Sequence, residues 1–319
     1  MKRIGVLTSG GDAPGMNAAV RNIVRLGFSR GVEVIGVFSG FMGLLEKHFR
    51  MLSPRDVSGM LEKGGTFLLS SRSEEFKLEN SQLKALENLR SEGIEGLVVI
   101  GGNGSQAGSL ALYKKGFPVI GVASTIDNDL WGTDYTIGFD TAVNTAVQAI
   151  DKIRDTATSH QRSFIIEVMG RDRGFIALEA GIASGADIIL VPEVKFKIEK
   201  IVNNIRSGLD KKKKHHMIVC AEGAIHADEL KEEILKYIDV DIRISVLGYI
   251  QRGGAPTRFD RILAMIFGEL ALQELISGNA GSVAGIRNNM PVLIPFEDAV
   301  NRKKELNYIL YNLVEELSV

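Results

Sequence analysis

The sequence predicts an α/β fold made of two Rossmann-like, three-layer (αβα) domains with mostly parallel sheets. Three observations carry that prediction. Apolar runs of strand length recur along the 319 residues, amphipathic helical patterns lie between them, and glycine-rich or polar segments follow them.

The runs are residues 4–7, 34–38, 97–100, 119–123, 164–168, 188–191, 217–219 and 244–247. Several are rich in Val and Ile, as strands covered on both faces should be. Helical patterns occupy residues 17–26, 81–90 and 140–155. The last is the clearest, with Val143, Val147, Ile150 and Ile153 along one face. Ligands in such folds bind beyond the carboxyl ends of the strands. The polar and glycine-rich segments cluster there, at residues 8–15, 101–105, 124–129, 169–171 and 222–223. The polar stretch 127–138 ends one set of strands and marks a domain boundary near residue 138.

Composition narrows the function classes. The chain carries 38 basic and 39 acidic side chains, a formal net charge of -1, so wholesale binding to nucleic acid or to an anionic membrane is not expected. The single cysteine, Cys220, excludes an intramolecular disulfide and a multi-cysteine zinc site. It lies in an apolar run and reads as a buried small hydrophobe. The N-terminus lacks the apolar core of a signal peptide, and no apolar segment reaches the length of a membrane span. A cytoplasmic location is the expectation.

Chemistry concentrates in the strand-to-helix turns. Residues 8–17 (Thr8, Ser9, Gly10, Gly11, Asp12, Ala13, Pro14, Gly15, Met16, Asn17) link a strand to a helix. This is neither the dinucleotide fingerprint nor the P-loop pattern. It reads equally as a phosphate cradle using the Gly11 N–H or as an ordinary tight turn. A second such turn, Gly101, Gly102, Asn103, Gly104 and Ser105, strengthens the cradle reading. Its Asn103 is an amide where a carboxylate would hold a metal better. Asp127 and Asp129 flank Asn128, and in extended backbone they would point to one side. They read as a proton acceptor for a substrate hydroxyl, or as Asx-turn chemistry. Arg72, Arg162, Arg171, Arg243 and Arg252 stand at strand or loop ends, where arginine can grip phosphate in bidentate fashion. A further basic set holds Arg21, Arg25, Arg55, Arg154 and the run 211–216; it reads as a solvated face or a second anion site.

Together these segments resemble the bacterial ATP-dependent 6-phosphofructokinases, nearly end to end. The resemblance rests on residues 8–12 and 14–17, on Thr125, Ile126, Asp127, Asn128 and Asp129, and on residues 137–142, 151–157, 167–171 and 251–254. It implies a larger ATP-binding domain of residues 1–138 plus about 252–305. It implies a smaller sugar-phosphate domain of residues 139–251 plus about 306–319. A homotetramer is also implied, with transfer of the ATP γ-phosphoryl group to the 1-hydroxyl of fructose 6-phosphate.

Carried onto matching positions, Asp127 would be the base, with Asp129 beside it and Thr125 orienting substrate. Arg171 and Arg72 would stabilise transferred charge. ATP would lie on Gly11, Phe41, Arg72, Ser73, Gly102, Asn103, Gly104 and Ser105. Arg162, Arg243 and Arg252, with Tyr249, would clamp the sugar phosphate, Arg162 and Arg243 reaching in from a neighbouring subunit. Met169, Gly170 and Glu222 would hold the sugar. An effector site for ADP or phosphoenolpyruvate would use Arg21, Arg25, Arg55, Arg154, Gly185, Asp187, Lys211, Lys213 and His215.

The chain also departs from the family pattern. Asn103 replaces a carboxylate that assists Mg²⁺, leaving a neutral oxygen as a weak metal contact. Tyr249 replaces a histidine and cannot carry positive charge. Phe41 replaces a tyrosine. At the effector positions Gly59, Asp187 and Lys211 differ from the common residues. Gly104 and Ser124 argue against the pyrophosphate-dependent version. Asn103 and Tyr249 leave open a catalytically weak regulatory paralogue.

Overall fold

The computed structural model describes residues 1–71 and 73–317. The chain runs β1 (Arg3–Thr8), α1 (Met16–Ser29), β2 (Glu33–Val37), α2 (Gly40–Glu46), β3 (Phe49–Leu52), α3 (Glu79–Ser91), β4 (Gly96–Gly101), α4 (Asn103–Lys114) and β5 (Val119–Ala123). It continues through α5 (Phe139–His160), β6 (Ser163–Val168), α6 (Phe175–Ala183), β7 (Ile188–Leu190), α7 (Ile198–Asp210), β8 (Met217–Ala221), α8 (Ala227–Leu235) and β9 (Ile242–Val246). Last come α9 (Arg258–Ile276), β10 (Ser282–Arg287), β11 (Met290–Pro295), α10 (Phe296–Asn301) and α11 (Tyr308–Leu317).

Two compact units divide the chain: Met1–Thr141 with Arg252–Lys304, and Ala142–Gln251 with Glu305–Val319. The first holds a seven-stranded sheet in the order β11-β10-β5-β4-β1-β2-β3. Its strands are parallel except for the edge pairs β2–β3 and β10–β11. The order reverses at β1, whose neighbours are β2 on one side and β4 on the other. That reversal opens a crevice beyond the carboxyl ends of β1 and β4. The second unit holds four parallel strands in the order β7-β8-β6-β9. Its reversal falls at β6, between β8 and β9.

Burial follows the apolar pattern. Every residue of β4 and β5 is buried, as a central parallel sheet requires. On α1, Met16, Ala19, Val20, Ile23 and Val24 form the covered stripe. Its partner α9 comes close at Gly268, where a Cβ would stand 3.4 Å from the Ala19 carbonyl. Thr257 caps α9, its hydroxyl accepting the Asp260 N–H at 3.2 Å. Cys220 is fully buried in β8, and burial raises its thiol pKa to about 12. It is therefore inert as a nucleophile at neutral pH. No described helix is long and apolar enough to cross a membrane.

All eight apolar runs are strands and the three helical patterns are helices. Three strands fell outside the pattern: β3, β10 and β11. β3 and β11 are edges with exposed positions, and β11 carries Pro291 and Pro295, which suit an edge but spoil an apolar run.

Candidate active site

The two glycine turns meet at the reversal of the first sheet. The Ser9 N–H donates to the Ile100 carbonyl at 3.0 Å, tying the end of β1 to the end of β4. The packing there leaves no room for side chains: a Cβ on Gly101 would lie 2.6 Å from the Ser9 carbonyl and 2.4 Å from the Ser105 hydroxyl. Gly102 caps α4, and its carbonyl accepts the Ser105 and Gln106 N–H groups at 2.9 and 3.0 Å. The first turn of α4 carries no acidic side chain. The helix N-terminus therefore presents N–H groups and a positive dipole end to whatever anion enters. Asn103 is the first residue of that helix and half-buried. A Cβ on Gly104 would meet nothing within 4 Å, so open space lies above it.

A cavity of about 430 Å³ opens beside the first turn, lined by Gly10, Asp12, Ser39, Thr66, Leu69, Ser70 and Arg252. Segment 66–70 is sewn to the β1 end: the Thr8 hydroxyl donates to the Leu69 carbonyl at 2.8 Å, and the Ser70 hydroxyl donates to the Gly10 carbonyl. Arg252 pairs with Asp12 at 2.7 Å and lies over Gly11, where a Cβ would be 2.6 Å from its Nη2. Only a glycine lets that guanidinium lie so close to the backbone. Arg72 lies outside the described residues. Ser73 accepts the Phe76 N–H at 3.2 Å. Phe41 stacks on Phe76 with ring centroids 4.3 Å apart, and a Cβ on Gly108 would strike its ring at 2.6 Å. Phe41 is buried by these contacts and forms a wall of the unit rather than a free stacking face.

The loop 124–129 follows β5 and abuts the cradle. The Ser124 N–H donates to the Gly101 carbonyl at 3.2 Å, and a Cβ on Gly102 would stand 3.2 Å from Thr125 Cβ. Thr125 Oγ1 accepts the Asp127 N–H at 3.2 Å. The backbone here is not extended as the sequence suggested. Asn128 adopts φ +50°, so strand alternation does not place Asp127 and Asp129 on one side. Asp127 is buried and Asp129 half-buried.

In the second unit the corresponding strand ends carry side chains rather than bare backbone. After β6, Met169 is half-buried, and Gly170 and Arg171 both have positive φ, +145° and +52°. Glu222, just past β8, holds this turn: its Oε1 accepts the Gly170 and Arg171 N–H groups at 3.2 and 2.8 Å. At the opposite, amino ends of β6 and β9, Arg162 and Arg243 share one carboxylate, Asp241, at 2.8 and 3.0 Å. Tyr249 is 78% exposed, its side chain projecting past the end of β9.

The expected effector residues divide between the units. Arg154 donates to the Ser184 and Gly185 carbonyls, and Lys213 pairs with Asp187. His215 stands close enough to Arg154, Asp187 and Lys213 for their charges to act on it. Burial first, and then the Arg154 charge, lower its pKa, with Asp187 opposing. Arg21 and Arg25, on one face of α1, and Arg55 belong to the first unit. Lys211 is exposed at the end of α7.

Two residues outside the expected set hold expected ones in place: Asp241 for the two arginines and Asn128 for the aspartate loop. Asp241 could be suspected from standing two positions before Arg243, just ahead of β9. Asn128 was visible only as the spacer between two carboxylates. Among the described residues no group of three or more His, Cys, Asp or Glu could hold a metal ion.

The site is thus a crevice lined by glycine-rich backbone at the strand ends of an α/β fold, with a buried aspartate beside it. A family model described as Phosphofructokinase matches residues 3–275. ATP-dependent 6-phosphofructokinases of Listeria monocytogenes and Enterococcus faecalis are 50% identical to this chain over 319 residues, covering 100% of both. The phosphofructokinase structure of Pichia pastoris in the T-state superposes with TM-score 0.90 at 34% identity, covering 99% of this chain. That of Saccharomyces cerevisiae gives 0.88 at 34%, covering 100%. This chain spans only 37% and 48% of those two yeast chains. A pyrophosphate-dependent phosphofructokinase of Marinobacter aquaeolei shares the fold, with TM-score 0.86 at 22% identity over 97% of this chain and 86% of that one. The chain belongs to the phosphofructokinase family.

Proposed function

We infer that this chain is an ATP-dependent 6-phosphofructokinase. It transfers the γ-phosphoryl group of ATP to the 1-hydroxyl of fructose 6-phosphate, the glycolytic step that gives fructose 1,6-bisphosphate. The observation that carries the reading is the contact between the Gly102 turn and Thr125, which sets an anion cradle against a loop holding a buried aspartate.

In this reading the first unit takes ATP, and the sugar phosphate lies mainly on residues of the second, with Arg252, Thr125 and Asp127 of the first. The triphosphate lies along the Gly11 and Gly102–Ser105 turns, where backbone N–H groups and the α4 dipole offset its charge. Ser73 and Phe41 border the nucleotide, and the space above Gly104 leaves room for its α-phosphate side. Asp127 accepts the proton of the sugar 1-hydroxyl as that oxygen bonds to Pγ and the bond from Pγ to the β-bridging oxygen breaks. Thr125 and Asp129 orient the acceptor. Arg171, and Arg72 from outside the described residues, balance charge on the moving group. Arg252, with Arg162 and Arg243 reaching in from a neighbouring subunit, grips the 6-phosphate, Tyr249 adds a hydrogen bond, and Met169, Gly170 and Glu222 form the sugar floor.

Mg²⁺ fits these residues as a partner of the nucleotide rather than as a resident ion. The site offers the neutral oxygen of Asn103 and the carboxylate of Asp129, with no three-acid cluster among the described residues. Mg²⁺ commonly binds through one or two carboxylates plus substrate phosphates. The ion would supply charge neutralisation on the triphosphate. We further propose a cytoplasmic homotetramer whose clustered cations near Arg154, Lys213 and His215 bind ADP or phosphoenolpyruvate.

A coupled assay with fructose 6-phosphate, Mg²⁺ and either ATP or pyrophosphate tests the reading. Turnover with ATP alone is expected. Turnover with pyrophosphate would move the chain to the other branch. Binding of ATP or fructose 6-phosphate without turnover would make it a regulatory subunit, the reading that Asn103 and Tyr249 favour.

A further inference from the structure

The loop bearing Asp127 and Asp129 is held by the residue between them. Asn128 is 3% exposed with φ +50°, a left-handed backbone that asparagine tolerates better than most side chains. Its side-chain oxygen accepts the Thr136 N–H at 3.1 Å, and its amide donates to the Asp134 carbonyl at 3.1 Å. The Thr136 hydroxyl closes the ring by donating to the Thr125 carbonyl at 2.6 Å.

Segment 134–138 is a firm support. The Asp134 N–H donates to the Ile286 carbonyl of β10 at 2.7 Å, and the Asp134 carboxylate accepts the Asn288 N–H at 2.6 Å. At the other end the Gly138 N–H donates to the buried Asp260 carboxylate at 2.8 Å. In between, Ile137 pairs with the β5 end, donating to the Ala123 carbonyl at 3.0 Å and accepting the Thr125 N–H at 3.1 Å.

We propose that Asn128 is a positioning residue for phosphoryl transfer, clamping the loop to segment 134–136 so that the Asp127 and Asp129 carboxylates keep their reactive directions. The proposal rests on the phosphofructokinase reading above. An amide is the group this position needs. It offers one acceptor and one donor at the same reach. Aspartate could accept from Thr136 but not donate to Asp134, and it would add a carboxylate between two others. Glycine keeps the left-handed backbone but lacks the clamp.

Three variants separate these terms. Asn128→Gly should lower kcat about 10–100-fold, the scale set by small misplacements of reacting groups, while KM for ATP stays within about twofold. Asn128→Asp keeps the acceptor for Thr136 but loses the donor to Asp134, and should lower kcat by a smaller factor than Asn128→Gly, again with KM for ATP within about twofold. Thr136→Val, which keeps the backbone N–H but not the hydroxyl, should lower kcat by a smaller factor with the same KM pattern. A folded Asn128→Gly with kcat within about twofold of wild type overturns the proposal. So does a kcat loss accompanied by an equal loss of ATP affinity, or failure of both Asn128→Gly and Thr136→Val to fold, which would leave only a structural role. A wild-type chain without ATP-dependent transfer would instead overturn the function reading itself, before any substitution is made.

Discussion

The strand ends of the two units present themselves to anions by different means. In the first, the turns after β1 and β4 are bare backbone, packed so closely that Gly101 has no room for a Cβ. In the second, Arg171, Glu222 and Tyr249 follow the carboxyl ends of β6, β8 and β9, while Arg162 and Arg243 stand at the opposite, amino ends of β6 and β9. Here charge must be held by other charge: Asp241 gathers Arg162 and Arg243, and Glu222 fixes the backbone of the Arg171 turn. A backbone cradle is rigid once the sheet forms. A side-chain clamp needs partners, and its long arginines lose rotamer freedom when they engage.

Substitutions can break this contrast, beginning with the largest effect. Asp127→Ser should cost about 10²–10⁴-fold in kcat if the carboxylate is the base, with ATP affinity nearly unchanged because the cradle is backbone. Steady-state kinetics reads this, and a near-wild-type rate would remove Asp127 from the mechanism.

The next effect concerns stability and sharpens the account of the first unit. Asp260 is fully buried, and burial raises its pKa from 3.8 to about 6, against the pull of its bonds from Thr141 and Gly138. Between those values the folded chain holds a proton that the unfolded chain releases. Asp260 therefore lowers stability as pH rises from about 4 to 6, by about 3 kcal/mol in all. Denaturation of wild type and Asp260→Asn across that range should show the difference between them closing toward low pH, where the wild-type carboxyl is neutral like the amide. A difference independent of pH would refute the linkage.

The smallest effect falls on the cradle's one departure. Asn103→Asp should raise kcat a few-fold, most visibly at limiting Mg²⁺, by adding a carboxylate to a site that otherwise relies on one. An unchanged or lower kcat at saturating Mg²⁺ would show that Asn103 does not limit the reaction.

The same contrast explains what could be read from the chain alone. β4, β5 and β8 were legible because both faces are covered and the residues are apolar throughout, and β6 because its apolar run 164–166 survives beside the buried Glu167. The glycine turns were legible because their chemistry lies in the absence of side chains. β3 and β11 were not, since edge strands alternate with solvent and tolerate proline. The partners that hold the site were hidden for another reason. Asp260 reaches Gly138 across 122 positions of sequence, and Asn128 grips a loop segment six to eight positions on through side-chain bonds that no apolar periodicity announces. Extended alternation at residues 127–129 failed because the Asn128 clamp pulls the backbone into the left-handed region.

The division of labour between the units is tested most directly by the two Michaelis constants of Arg243→Ala, a residue that in this reading serves the sugar-phosphate site of a neighbouring subunit. The account predicts a KM for fructose 6-phosphate about 10–100-fold higher, the scale of hydrogen bonds to a charged group, with KM for ATP within about twofold of wild type. A rise in the ATP constant with the sugar-phosphate constant unchanged would contradict it.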